Sequence, residues 1–334
     1  MIPLTDVGWQ TQSWQALLKS AITDPVELAT ILQIDVPIFS SEFPLLVPWP
    51  YLSRIRPGDP LDPLLLQVLP QPREALDVPG YVADPLQELH QSPIPGVIQK
   101  YHGRLLVVAT GACGINCRYC FRRHFPYAEF QPSRAAWEQI LSTVAADSSI
   151  TEVILSGGDP LLLSDRQLAD IARRLADINH VTTLRLHTRL PVVIPQRIDA
   201  ALLGWISQTR LQVVVVLHIN HSAEIDPAVA AAARSLSAAG VTLLNQSVLL
   251  KGINDQVEIL TDLSRALFAI GVLPYYLHVL DAVAGAAHFD LPETRARHLL
   301  AEVVKKLPGY LVPRLAREIP GEASKTNLAI HPLA

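Results

Sequence analysis

The sequence predicts an α/β fold: six strand and helix units in series, their parallel strands wound into a closed or partly closed barrel. Two observations carry the expectation. From Arg104 onward, short apolar runs alternate with longer stretches whose apolar residues recur at helical spacing. In the same half, the glycine-rich and polar motifs fall at or near the ends of those runs, where parallel barrels gather their functional groups.

Taken in order, the first hundred residues lack this rhythm. Trp14, Leu17, Leu18, Ala21 and Ile22 form one short helical stripe, and Asp24-Pro25 restarts a helix, with Asp24 as cap and Pro25 in the first turn. Prolines then recur too often for long elements, so this part is expected to wrap a scaffold supplied by the rest. Strands are expected over Leu105 to Ala109, Val153 to Leu155, Leu184 to His187, Val213 to Ile219, Val241 to Val248 and Pro274 to Leu280. Helices are expected over Ala135 to Ala146, Arg166 to Ile178, Ala200 to Ser207, Pro227 to Ala239, Gln256 to Ile270 and Pro292 to Lys306. The chain therefore divides into an irregular, partly helical extension (1–100), a barrel (101–308) and a short closing segment (309–334).

With 334 residues and 49% hydrophobic content, the chain can bury a large core without a covalent staple. A net charge of -4 offers no broad basic field for a phosphate backbone, so no nucleic acid partner is expected. Met1 to Asp6 lacks the cationic start of a leader, and no apolar run is long enough to span a bilayer. No membrane partner is expected, and the chain reads as cytoplasmic.

All 3 cysteines lie in Cys113-Gly114-Ile115-Asn116-Cys117-Arg118-Tyr119-Cys120. That excludes a disulfide framework and fits a reducing compartment. Soft thiolates so spaced select zinc or an iron-sulfur cluster, and three of them hold three irons of a cube. One iron is then left open to a small molecule. The competing reading is a zinc site completed by His124, or thiols buried by chance. After the second strand, Ser156-Gly157-Gly158-Asp159 lets backbone come close to a ligand, and the Asp159 carboxylate can accept from an ammonium. An ordinary strand-to-helix turn has the same composition.

The C-x3-C-x2-C spacing, with Tyr119 before the last cysteine, resembles the signature of radical S-adenosylmethionine enzymes, and Ser156 to Asp159 resembles their glycine-rich segment. Gly309-Tyr310-Leu311-Val312-Pro313, Pro320-Gly321 and Lys325-Thr326 are similar to the lysine 2,3-aminomutase family within that superfamily. So are Leu190 to Ile198, Asn220-His221 and Asn245 to Leu250, and the likeness covers roughly residues 75 to 328. It implies a partial (β/α)6 barrel, a 4Fe-4S cluster on Cys113, Cys117 and Cys120, S-adenosyl-L-methionine on its open iron, and pyridoxal 5'-phosphate anchored by Lys325. It further implies an S-adenosylmethionine pocket lined by Ser156, Gly157, Gly158, Asp159, His218 and Gln246.

Carried over residue by residue, the resemblance makes Arg122 the partner of the substrate carboxylate and leaves Arg104 for an anionic group of cofactor or substrate. Asp281 and Glu318 would hold the distal ammonium of L-lysine, with Glu318 where the family has aspartate. The plainer alternatives are a solvated basic face of Arg118, Arg122 and Arg123, a satisfied core histidine at 218, and a surface carboxylate at Glu318 beside Arg317. Larger members carry further C-terminal cysteines for a structural zinc, which this chain lacks. The segments Phe121 to Ala128, Pro274 to Asp281 and Gly285 to Phe289 resemble the bacterial branch that makes (R)-β-lysine for elongation factor P. That branch implies a reductant protein and a functional link to elongation factor P and its β-lysine ligase. Two other functions compete: a radical enzyme acting on another amino acid or on a macromolecule, and an iron-sulfur electron carrier.

Overall fold

A computed structural model describes residues 8–90, 94, 96–99, 101–130 and 132–329; the start of the chain read above for a leader lies outside them. One sheet of nine strands runs in chain order: β1 (Val97–Ile98), β2 (Arg104–Thr110), β3 (Glu152–Gly157), β4 (Thr183–Thr188), β5 (Gln212–His218), β6 (Thr242–Val248), β7 (Leu273–His278), β8 (Arg314–Arg317) and β9 (Thr326–Asn327). β2 to β8 are parallel, while β1 and β9 pair antiparallel at the two edges. β1 and β9 do not meet, so the barrel is partial.

The crossover helices Arg134–Ala146, Asp165–Ala176, Ala200–Gln208, Pro227–Ala238, Val257–Ala269 and Glu293–Val304 match the expected ones to within two residues at each end. Their starts follow from side-chain caps: Ser133, Ser164, Asp199 and Asp226 each accept from a backbone N–H of the first turn. The seventh parallel strand, β8, was not expected. It is short, follows Pro313 and has arginine at both ends, so neither a long apolar run nor clean alternation announces it.

Pleating divides each strand between two environments. Leu105 and Val107, Val153 and Leu155, Leu184 and Leu186, and Val213 and Val215 belong to the apolar layer between sheet and helices. Their neighbours Arg104 and Leu106, Ile154 and Ser156, and Arg185 and His187 line the barrel interior. Register then sets interior residues side by side: His218 pairs with Gln246, Gln246 with Tyr276, and Tyr276 with Arg314.

The proline-rich start closes one side of this layer. Asp24 caps the helix Pro25–Leu32 through Val26 N (2.9 Å), with Pro25 in its first turn. Trp14, Leu17, Leu28, Leu32, Tyr51, Leu64 and Val68 join the same apolar cluster as the strands. Each such side chain contributes about 1.5–3 kcal/mol when removed from water.

Candidate active site

A cavity of about 440 Å³ opens at the C-terminal ends of the strands, and every site residue expected from sequence lines it. The cysteine loop follows β2, the Ser156 to Asp159 loop ends β3, and Lys325 precedes the edge strand β9.

Two glycines fix the loops against each other. A Cβ at Gly158 would lie 2.1 Å from the Ala112 carbonyl oxygen, and one at Gly157, whose φ is +108°, would lie 2.6 Å from the Thr110 carbonyl oxygen. Asp159 has a different task from the one expected. Its Oδ1 accepts from Thr188 Oγ1 (2.6 Å) and Leu161 N (3.1 Å), and its Oδ2 from Arg189 N (2.8 Å) and Leu190 N (2.9 Å). With both oxygens taken, the carboxylate ties its own loop to the one after β4 and is not open to an ammonium.

Cys113, Cys117 and Cys120 are half-buried on one wall. Burial pushes the Cys113 thiol well up, and burial followed by the neighbouring Cys117 pushes Cys120 up to about 11. His124 does not line the cavity that the thiols share, and its Nε2 lies 3.1 Å from the Ala284 carbonyl oxygen.

The arginines after the loop are not a solvated face. Arg118 and Arg123 are 0% and 3% exposed and share the buried carboxylate of Glu74. Arg122 lies between the Phe121 and Phe125 rings and meets Glu88 through Nε (2.6 Å) and Nη2 (2.9 Å), with Nη1 3.3 Å from Ser156 Oγ. Burial would weaken this cation, but Glu88 outweighs it and raises the Arg122 pKa. Glu88 thus occupies the guanidinium fork assigned to a substrate carboxylate, and Nη1 and Nη2 each retain one hydrogen for a ligand.

In the same cavity, Lys325 Nζ donates to Glu318 Oε2 (2.6 Å) and lies over the Tyr276 ring. Arg317 turns to Glu293 instead, so Glu318 is an interior carboxylate. The Tyr101 hydroxyl also bonds Glu318, and Arg104 stacks 5.1 Å from the Tyr101 ring centre. Asp281 lines the same end after β7.

His218 accepts from Gln246 Nε2 (2.9 Å), which fixes its neutral tautomer with the proton on Nδ1. Burial, then the cations of Arg189, Lys325 and Arg122, lower its pKa to about 3. His187 and His278, also lining the cavity, are pushed well below the usual range, first by burial. These two histidines, with Glu88, Arg185, Arg189, Tyr276 and Tyr101, were missed as site residues. His187 and Arg189 stood in a polar triplet at the end of a strand, which was the available signal.

An open parallel barrel with three thiols in one loop at its mouth, beside a glycine pair that admits close approach, defines a radical S-adenosylmethionine enzyme. Residues 107–203 match the family model described as Radical SAM superfamily. The chain is 47% identical over 335 residues to the L-lysine 2,3-aminomutase of Haemophilus influenzae, covering 98% of this chain and 99% of that one. It is 47% identical over 324 residues to that of Escherichia coli (95% and 94% covered) and 36% over 277 residues to that of Clostridium subterminale (83% and 66%). The chain belongs to the lysine 2,3-aminomutase family, a family of isomerases.

Membership implies a 4Fe-4S cluster, S-adenosylmethionine and pyridoxal phosphate, and the residues fit all three. The thiols are soft donors on one wall, the glycine loop offers bare backbone, and Lys325 projects an amine into the same cavity as Arg104. Among the described residues no helix is long and apolar enough to cross a membrane.

Proposed function

We propose that this chain converts L-lysine to β-lysine, the (R) form, with pyridoxal phosphate carried on Lys325 in the 309–334 segment. The observation that carries the reading is the shared cavity. The thiols, the glycine loop, Lys325, Glu318 and Asp281 all line it. When bound, the cluster and S-adenosylmethionine supply a hydrogen-abstracting radical, and pyridoxal phosphate supplies an electron sink for nitrogen migration.

The chain's own residues bind and orient. Glu318 holds the Lys325 ammonium (2.6 Å) and lines the cavity together with Asp281, so this site presents carboxylates to a ligand. Such carboxylates suit the distal ammonium of lysine, whereas an acidic substrate would be repelled. Arg122 receives the α-carboxylate through Nη1 and Nη2, or through its whole fork where Glu88 gives way. His218 stays neutral and leaves no further cation against a bound ammonium. The burial of the Arg118, Arg122 and Arg123 side chains argues against a phosphate-backbone substrate.

By its likeness to the bacterial branch, the product serves elongation factor P through its β-lysine ligase, in the cytoplasm, with a reductant protein supplying the electron. The test is anaerobic turnover of L-lysine by iron-reconstituted protein with dithionite, S-adenosylmethionine and pyridoxal phosphate, followed by chiral chromatography. (R)-β-lysine is expected; unchanged lysine from fully loaded protein refutes the activity, and the (S) product refutes the branch.

A further inference from the structure

Arg189 lines the cavity beside Cys117 of the cysteine loop. Its backbone N–H is fixed to Asp159 Oδ2 (2.8 Å), and the residue is 6% exposed. Nη1 lies against Cys117 Sγ at 2.7 Å, while Nη2 donates to Gln67 Oε1 (2.7 Å) and Glu224 Oε2 (2.8 Å). The guanidinium lies between the rings of Tyr51 and Tyr119, 5.5 and 5.7 Å from their centres. Glu224 is fully buried, and its second oxygen accepts from Asn220 N (2.8 Å), His221 N (3.1 Å) and Gln67 Nε2 (3.3 Å). These contacts hold the guanidinium against the sulfur, while its buried Nε makes no hydrogen bond among the described residues.

A core ion pair needs no contact with a thiol, and a guanidinium locked onto one has an electrostatic consequence. A cation that donates to a ligating sulfur withdraws electron density from it, and in a buried setting the interaction is weakly screened. The reduced cluster carries one more negative charge than the oxidised one, so the contact favours reduction. Glu224 opposes this by neutralising part of the same cation.

We propose that Arg189 is a positioning residue for the cluster, raising its one-electron reduction potential through Cys117, and that the Arg189–Glu224 pair sets the size of that effect. The inference goes beyond lysine turnover and holds whichever amino acid the enzyme accepts.

The test is a redox titration of the iron-reconstituted full chain, read by electron paramagnetic resonance of the reduced cluster, with iron content measured alongside. Arg189→Gln is expected to lower the reduced-to-oxidised ratio at fixed ambient potential about tenfold, which is 59 mV for a one-electron couple. Glu224→Gln leaves the cation less neutralised and is expected to shift the potential the opposite way. Opposite shifts at full iron content do not arise from damage to the fold. No shift in either variant, or shifts in the same direction, overturns the proposal. If Arg189→Gln does not load iron, Glu224→Gln decides alone: an upward shift supports the assignment, and an unchanged or lowered potential refutes it.

Discussion

Three cavity histidines held neutral by burial make the stability of this protein depend on pH in a calculable way. For His218 the folded pKa is about 3, against an unfolded value of 6.5. The unfolded chain therefore takes up the proton first, so the stability this residue supplies is complete above the unfolded value and is lost as pH falls toward the folded one. Between about pH 7 and about pH 5.5 the loss from His218 alone comes to roughly 1.3 kcal/mol. His187 and His278 are lowered in the same direction and steepen the slope. Replacing His218 by Gln keeps an acceptor for Gln246 and removes the titration. Urea unfolding of the metal-free protein at the two pH values, with constant slope m, measures both proteins. The parent is expected to lose more stability on acidification than His218→Gln, by about 1.3 kcal/mol. An equal loss in the two refutes the claim that this ring is neutral because it is buried among cations.

Gly158→Ala sets a methyl 2.1 Å from the Ala112 carbonyl oxygen, so the cysteine loop is displaced and the iron bound after reconstitution falls, as colorimetric iron assay will report. Asp159→Asn turns one acceptor into a donor. The Thr188 hydroxyl can reverse to meet it but Leu161 N–H cannot, so the variant is expected to lose about 2–4 kcal/mol in chemical denaturation. Lys325→Ala removes the cofactor's amine, and the visible absorbance gained on adding pyridoxal phosphate to the parent should not develop; if it does, the anchor lies elsewhere.

The parts of the fold that the sequence revealed are those with strong local periodicity. Val213 to Ile219 and Pro227 to Ala239 each carry their own pattern, so strand and helix were legible without neighbours. β1, β8 and β9 are two to four residues long and exist only because a neighbouring strand offers a ladder. The site divides the same way. Cysteine spacing and the glycine loop are local signals, whereas the partners of Arg189 come from positions 67, 117 and 224, and that of Arg122 from position 88. Contacts across such distances leave no mark in a single chain's spacing, which is why Glu88 was not foreseen beside Arg122.

The division of each strand between interior and helix layer has a consequence for how the protein can change length. Because successive residues face opposite sides, deleting one residue within β4 would carry Arg185 or His187 into the apolar layer and push Leu184 or Leu186 into the cavity. A single deletion there damages core and site together. One in the connection between β4 and β5 shifts neither register. Insertions and losses are therefore confined to the crossovers, while point substitutions at interior positions can alter substrate handling and leave the apolar layer as it stands.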